Sequence, residues 1–156
     1  MHYTDYDTRL AAYAVIVDEQ QRVLLALWNE ADPPQWTMPG GGVEFAETAE
    51  EAAVRELREE TGYDVQIGRL LGVHSHIVRA ELRIGGSRPL KSVRLVFAAT
   101  IVGGCLTCEI DGTTDEARWF DLADIEGLDR VPLVDVALAM YRAARPSNEG
   151  LAVASE

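Results

Sequence analysis

The sequence predicts an α/β protein in which a mixed sheet is flanked by helices. Short apolar, β-branched runs recur along the chain, and two helix-like stretches, Ala49–Thr61 and Pro132–Ala144, are inserted among them. There is no repeat and no sign of a second domain in the remaining pattern. Residues 1–144 therefore read as one domain, long enough to bury a good core, and residues 145–156, polar and rich in small side chains, read as a loose tail.

Taken in order, Leu10–Val17 and Arg22–Leu27 are strand-like runs separated by Asp18-Glu19-Gln20-Gln21, a pattern that predicts a hairpin. Trp36-Thr37-Met38 leads into Pro39-Gly40-Gly41-Gly42, read as a glycine turn that exposes backbone N–H and C=O groups. Thr48 with Glu51 three residues later is a capping box, and Gly62 stands where a left-handed C-cap is wanted. Between them lie good helix formers without Pro or Gly, so Ala49–Thr61 is a helix. Val65–Val78 reads as one or two strands broken by Gly68 and Gly72. Gly85–Pro89 is a loop. Ser92–Val102 is a further strand with Val93, Leu95, Phe97, Ala99 and Ile101 on one face. Arg118–Phe120 is a short strand, and Pro132 opens the last helix where a missing N–H costs least.

The chemistry concentrates on the first helix. At about 100° per residue, Glu56, Glu59 and Glu60 fall within one arc of roughly 100°. Three like charges at these spacings repel, so the helix sacrifices stability there. A hard divalent cation is the natural compensation, because magnesium takes one or two carboxylates together with waters and phosphate oxygens. A solvated acidic face is the plainer reading of such a run. Ala49, Ala52 and Ala53 border the same arc and would let a loop or sheet approach, which favours a site. Arg55, Arg58 and Glu51 lie opposite and read as the solvent face, although Glu47, ahead of the helix, can reach Arg55. Amides of the glycine segment could hold phosphate oxygens, and one of its carbonyls could complete a magnesium shell.

Gly41, Glu47, Arg55, Glu56, Leu57, Glu59, Glu60 and Gly62 together resemble the Nudix box, G-x5-E-x7-R-E-U-x-E-E-x-G-U, where U is a bulky apolar residue. Tyr63 departs only in being aromatic where an aliphatic residue is usual, a matter of packing. Trp36-Thr37-Met38-Pro39 is also similar to the approach that often precedes the box. The resemblance implies an α/β/α sandwich with a mixed sheet and a loop-helix-loop site. It implies hydrolysis of a nucleoside diphosphate linked to another moiety, dependent on Mg²⁺ with Mn²⁺ as a substitute. By position, Glu56, Glu59 and Glu60 would be metal ligands with the Gly40 carbonyl. Arg55 and Glu47 would orient that shell, and Gly41 and Gly42 would face the substrate. The box alone leaves the general base open. Asp111, Asp115 and Glu116 precede Arg118-Trp119-Phe120, where a later acid often arises, and Glu116 is the choice among them, although an exposed loop acid is an equal reading.

Residues outside the box carry weaker signals. His74 and His76 share a strand face and could contact phosphate or base, with half-exposed sheet histidines as the plain alternative. Trp28 and Trp36 could stack a base or serve as packing. Arg79 and Arg94 are possible phosphate clamps, though surface strand positions account for them as well. Cys105 and Cys108 form a Cys-x-x-Cys with no second pair, and read as structural or incidental thiols beside a Gly103-Gly104 turn. The Tyr3, Tyr6 and Tyr13 segment suits a homodimer contact or a strand edge equally.

Composition sets the context. A formal net charge of −12 argues against general nucleic-acid binding, since phosphate backbones reward Lys and Arg. An acidic chain can act on a small anionic nucleotide once divalent ions reverse the local sign. No basic segment with an apolar core and no long apolar stretch is present, so the expectation is a cytoplasmic enzyme without a membrane span. Downstream marks of Nudix subfamilies are missing: the proline associated with ADP-ribose is replaced by Ile77-Val78-Arg79, and Arg79-Ala80-Glu81 lacks the tyrosine associated with dinucleoside polyphosphates. What remains is a nucleoside triphosphate, intact or modified, or a nucleotide sugar. A non-catalytic nucleotide sensor and an RNA 5′-end pyrophosphohydrolase are the alternatives.

Overall fold

Strand β1 (Asp7–Val15) is the axis of the fold, because the chain buries both of its faces. Ala12 and Ala14 pack toward the first helix, whereas Tyr13 and Val15 pack toward the second. A strand apolar on both faces requires a layer on each side, and the two helices supply them. The computed structural model describes residues 1–107 and 114–145. The other strands are β2 (Arg22–Trp28), β3 (Gln35–Thr37), β4 (Gly40–Gly42), β5 (Tyr63–Val78), β6 (Leu90–Gly104) and β7 (Thr114–Asp121). Helices α1 (Ala49–Thr61) and α2 (Pro132–Ala144) complete the fold, with 3₁₀ turns at Ala80–Leu82 and Leu122–Gly127.

The strands form two sheets, ordered β4-β1-β6-β5 and β3-β2-β7. The first is mixed, since β1 runs parallel to β6 and antiparallel to β4. The expected hairpin between the first two runs does not form. Its turn exists: the Asp18 N–H donates to the Arg22 carbonyl, and the Asp18 carboxylate accepts from the Arg22 backbone N–H and Nε, both at 2.8 Å. Beyond a single Val17–Val23 bridge the strands part, because β1 is flanked by β4 and β6 while β2 takes β3 and β7. Alternation of residue types marks a strand but does not name its partner. For the same reason Tyr13 is not at a strand edge; β1 is interior. The glycine segment is likewise more than a turn, since Gly40, Gly41 and Gly42 pair with Tyr13, Ala12 and Ala11 as strand β4.

Strand β5 is continuous from Tyr63 to Val78, and the expected breaks at Gly68 and Gly72 are shifts in its pairing with β6. Leu95, Phe97, Ala99 and Ile101 of β6 pack on the α1 side, as their alternation requires, while Val96 joins the α2 core. Gly103 and Gly104 close β6 against Asp64 and Tyr63 instead of turning into a strand. Tyr63 stands edge-on to Trp119 at 6.3 Å between ring centres and accepts a hydrogen bond from its indole N–H. Cys108 and the tail 146–156 lie outside the described residues.

Helix α1 has the capping box of Thr48 and Glu51, and Ala52 and Ala53 lie flush against Ala12 and Phe97 of the sheet. It ends at Gly62, whose N–H donates to the Arg58 carbonyl and whose φ of 80° turns the chain out of the helix. A Cβ at Gly62 would stand 2.3 Å from the Cys105 carbonyl oxygen. Gly62→Ala should therefore cost at least the roughly 1–3 kcal/mol of a strained left-handed residue. Thermal melting would show a lowered midpoint, and an unchanged midpoint would contradict this account of the cap.

Candidate active site

The Arg55 guanidinium organises the acidic side chains before α1 and along its second half. Its Nε and Nη2 donate to the two Glu47 oxygens at 3.1 and 2.7 Å, in the two-pronged geometry that suits a carboxylate. Nη1 donates to Glu56 at 3.0 Å and to Glu59 at 3.3 Å, and Nη2 also reaches the Gly42 carbonyl at 3.1 Å. Sequence spacing placed Arg55 on a solvent face, and the structure corrects this. The side chain is only 27% exposed because the Glu47 loop and β4 fold back over that part of the helix, a tertiary approach that a helical wheel cannot display. The cation thus answers the like-charge repulsion along α1. Hydrogen bonding to Arg55 holds the Glu47 carboxyl below its usual range, and Glu47 in turn holds the guanidinium more firmly protonated.

Glu60 is 7% exposed and accepts a hydrogen bond from the Gly40 N–H at 2.9 Å, tying β4 to α1. At Gly41 a Cβ would stand 2.5 Å from Glu56 Oε1, so the absence of a side chain lets the carboxylate lie against the strand. The result is a cleft of about 350 Å³ between the two sheets and the start of α2. Gly40, Gly41, Gly42, Glu56 and Glu60 form one wall. Arg9, Tyr13 and Arg94 form another, and Trp28, Glu30, Thr37, Val131 and Leu133 complete it.

The remaining sequence-predicted residues lie elsewhere. Glu47 stands behind the cleft on Arg55, and Glu59 is 49% exposed on the outer side of the same cation. Trp36 packs edge-on against Phe120 with centroids 4.6 Å apart, beneath the Arg118 guanidinium. Of the two tryptophans, Trp28 is the one that lines the cleft. Glu116 pairs with Arg118, whose Nε donates to it at 2.9 Å. Asp111 and the side chain of Asp115 are outside the described residues. His74 and His76 lie on β5 opposite Arg94 and Ser92, outside the cleft lining. Burial first, then the Arg94 charge, lowers the His76 pKa. Cys105 is an exposed free thiol. Sequence reasoning passed over Arg9, Glu30, Thr37, Val131 and Leu133. Period two on β1 puts Arg9 on the Tyr13 face, but only the parallel pairing with β6 brings Arg94 alongside.

Among the described residues no three acidic, histidine or cysteine side chains close into a complete metal cage. A magnesium site does not require one, since waters and substrate oxygens supply most of its shell. Buried Glu60 and half-buried Glu56, opening on a polar cleft with glycine backbone beside them, are an all-oxygen donor set of that kind and fit the ion.

Comparisons with known proteins give the family and the fold. The family model for the NUDIX domain matches residues 7–140. A candidate 8-oxo-dGTP diphosphatase of Bacillus subtilis (strain 168) is 44% identical over 63 residues, 40% of this chain and 41% of its own length. An ADP-ribose pyrophosphatase of Methanocaldococcus jannaschii is 33% identical over 119 residues, covering 76% of this chain. The chain spans 65% of that relative's length. A NUDIX hydrolase structure from Nitrosomonas europaea superposes with a TM-score of 0.74 at 23% identity, covering 88% of this chain and 90% of that one. This likeness shows the mixed α/β fold.

The Arg55 cluster predicts an acid-side signature. A carboxyl whose pKa is lowered by folding stabilises above its unfolded value, near 4.5 for Glu47, and loses that contribution as pH falls through the folded value. Arg55→Met should lower stability at neutral pH and flatten its decline on acidification below 4.5. Denaturant titrations across that range would show parallel profiles if Arg55 and Glu47 were not coupled.

Proposed function

The chain belongs to the Nudix family, and from that premise we propose that it is a metal-dependent pyrophosphohydrolase that cleaves a nucleoside diphosphate linked to another moiety. The observation that carries the reading is the pair Glu56 and Glu60, set against the glycine strand at the wall of a polar cleft. Glu56 and Glu60, with the Gly40 carbonyl, would hold Mg²⁺ or Mn²⁺, and Glu59, now on the outer side of Arg55, would join them by turning inward. When bound, the ion offsets charge on the phosphate oxygens and lowers the pKa of the attacking water. Arg55 and Glu47 keep the carboxylates oriented, Gly41 makes room for Glu56 against the strand, and Gly42 lets phosphate approach beside Arg9. For the proton acceptor a box glutamate in the cleft lining is the reading preferred over Glu116, and the position of Glu116 outside that lining supports it.

The substrate is a nucleoside triphosphate, intact or modified, or a nucleotide sugar; the names of the two relatives span that range. Residues 1–144 act as one catalytic unit, in the cytoplasm, as a monomer or homodimer. Among the described residues no helix is long and apolar enough to cross a membrane.

The test is product analysis over nucleoside triphosphates, oxidised nucleotides, ADP-ribose, other nucleotide sugars and dinucleoside polyphosphates, with Mg²⁺, with Mn²⁺ and with EDTA. Metal-dependent cleavage of one class is expected. Glu60→Gln should cut it by about 10²–10⁴-fold while the fold survives, since it relieves repulsion along α1. Tight nucleotide binding with no turnover anywhere on the panel would make the protein a sensor instead.

A further inference from the structure

The cleft has a second pole that the carboxylates do not explain. Arg9 of β1 and Arg94 of β6 line it from the sheet. Ala11 is in register with Arg94, so Arg9, two residues earlier on β1, shares its face and lies one row away. Neither guanidinium has an acidic partner among the described residues. Arg69, Arg79, Arg142 and Arg145 also lack an ion pair among the described residues, but they are exposed and none of them lines the cleft. Arg22, Arg55, Arg58, Arg83, Arg118 and Arg130 each hold a carboxylate.

Arg94 is also partly buried, and its Nε has no hydrogen-bond partner. Beside it on β5 the Nδ1 of His74 is buried and equally unpartnered. Two buried polar atoms without partners, side by side on half-buried side chains, call for a ligand or ordered water. Burial, and secondarily the Arg9 charge, disfavours the Arg94 cation, so the pair is held at a cost. Tyr13 stands between the poles, within electrostatic reach of Arg9 and Arg94 and of Glu56 and Glu60. Burial pushes its phenol pKa up, so its hydroxyl remains a donor at neutral pH.

We propose that Arg9 and Arg94 form a phosphate subsite that grips substrate oxygens not held through the metal, and that the preferred substrate is a nucleoside 5′-triphosphate rather than a diphosphate joined to a neutral sugar. This rests on the reading of the cleft as a pyrophosphohydrolase site. A sugar can satisfy the hydrogen bonds of two guanidiniums but not their charge. A third phosphate does both, and the arginine fork matches its oxygens. The separation of the poles also sorts the substrate, with metal-bound phosphates at Glu56 and Glu60 and the remaining charge on the sheet.

Two measurements test this. In EDTA, calorimetric titration with inorganic tripolyphosphate reads the cationic pole without the metal. Wild type should bind with affinity that falls steeply with salt, and Arg9→Gln or Arg94→Gln should each weaken binding about tenfold or more. Arg94→Lys should retain part of it, and Arg9, being exposed on β1, can be changed without risk to folding. With Mg²⁺, the ratio of kcat/KM for a nucleoside triphosphate to that for a nucleotide sugar should fall at least about tenfold in both glutamine variants. Tripolyphosphate binding unchanged in folded variants, or equal losses on the two substrates, would overturn the subsite. Absence of all turnover by wild type, with metal-free binding still lost in the variants, would overturn the enzyme reading and leave the anion site standing.

Discussion

The site depends on one guanidinium. Arg55 accommodates Glu47, Glu56, Glu59 and the Gly42 carbonyl around a single planar cation, and so joins the loop before α1, the helix itself and strand β4. Without it, the clustered carboxylates would repel one another and push the glycine strand away. With it, Glu56 and Glu60 are left facing the cleft in fixed positions. A local arrangement that is unfavourable in an isolated helix becomes tolerable because the folded chain supplies the compensating charge.

Close approach is the second constraint. Ala52 and Ala53 let α1 lie on the sheet, and Gly40 and Gly41 let its carboxylates reach backbone N–H and Cα. Small residues on both elements therefore serve one end, which is to bring acidic oxygens next to main chain without intervening side chains. The buried position of Glu60 follows from this: its desolvation is offset by the Gly40 N–H, an interaction that a bulkier residue on β4 would prevent.

The cleft then acquires its polarity from two unrelated parts of the chain. Its acidic wall belongs to a local motif, from Gly40 to Glu60. Its basic wall comes from β1 and β6, which are far apart in sequence and meet only because those strands run parallel. Opposite charges on adjoining parts of the cleft lining, with Tyr13 within reach of both, suit a polyanion that is held in one part through a cation and in the other by arginine. The overall acidity of the chain hides this, since two guanidiniums in the cleft count for little in a net charge of −12.

What the sequence by itself determined is what short-range rules govern. Capping residues delimited α1 at Ala49–Thr61, Pro132 opened α2, and the spacing of Arg55, Glu56, Glu59 and Glu60 marked the acidic motif. Helical geometry and caps are set within a few residues, so they are legible without the fold. Tertiary structure alone decided which strands pair, that the first two runs part into separate sheets, that the glycines form a strand, and that Arg55 is enclosed instead of solvent-facing. It also decided that Trp28 and Arg94, not Trp36, His74, His76 or Glu116, line the cleft. Alternation along a strand reveals its faces but not its neighbours, and residues distant in sequence become one surface only when a sheet selects its order.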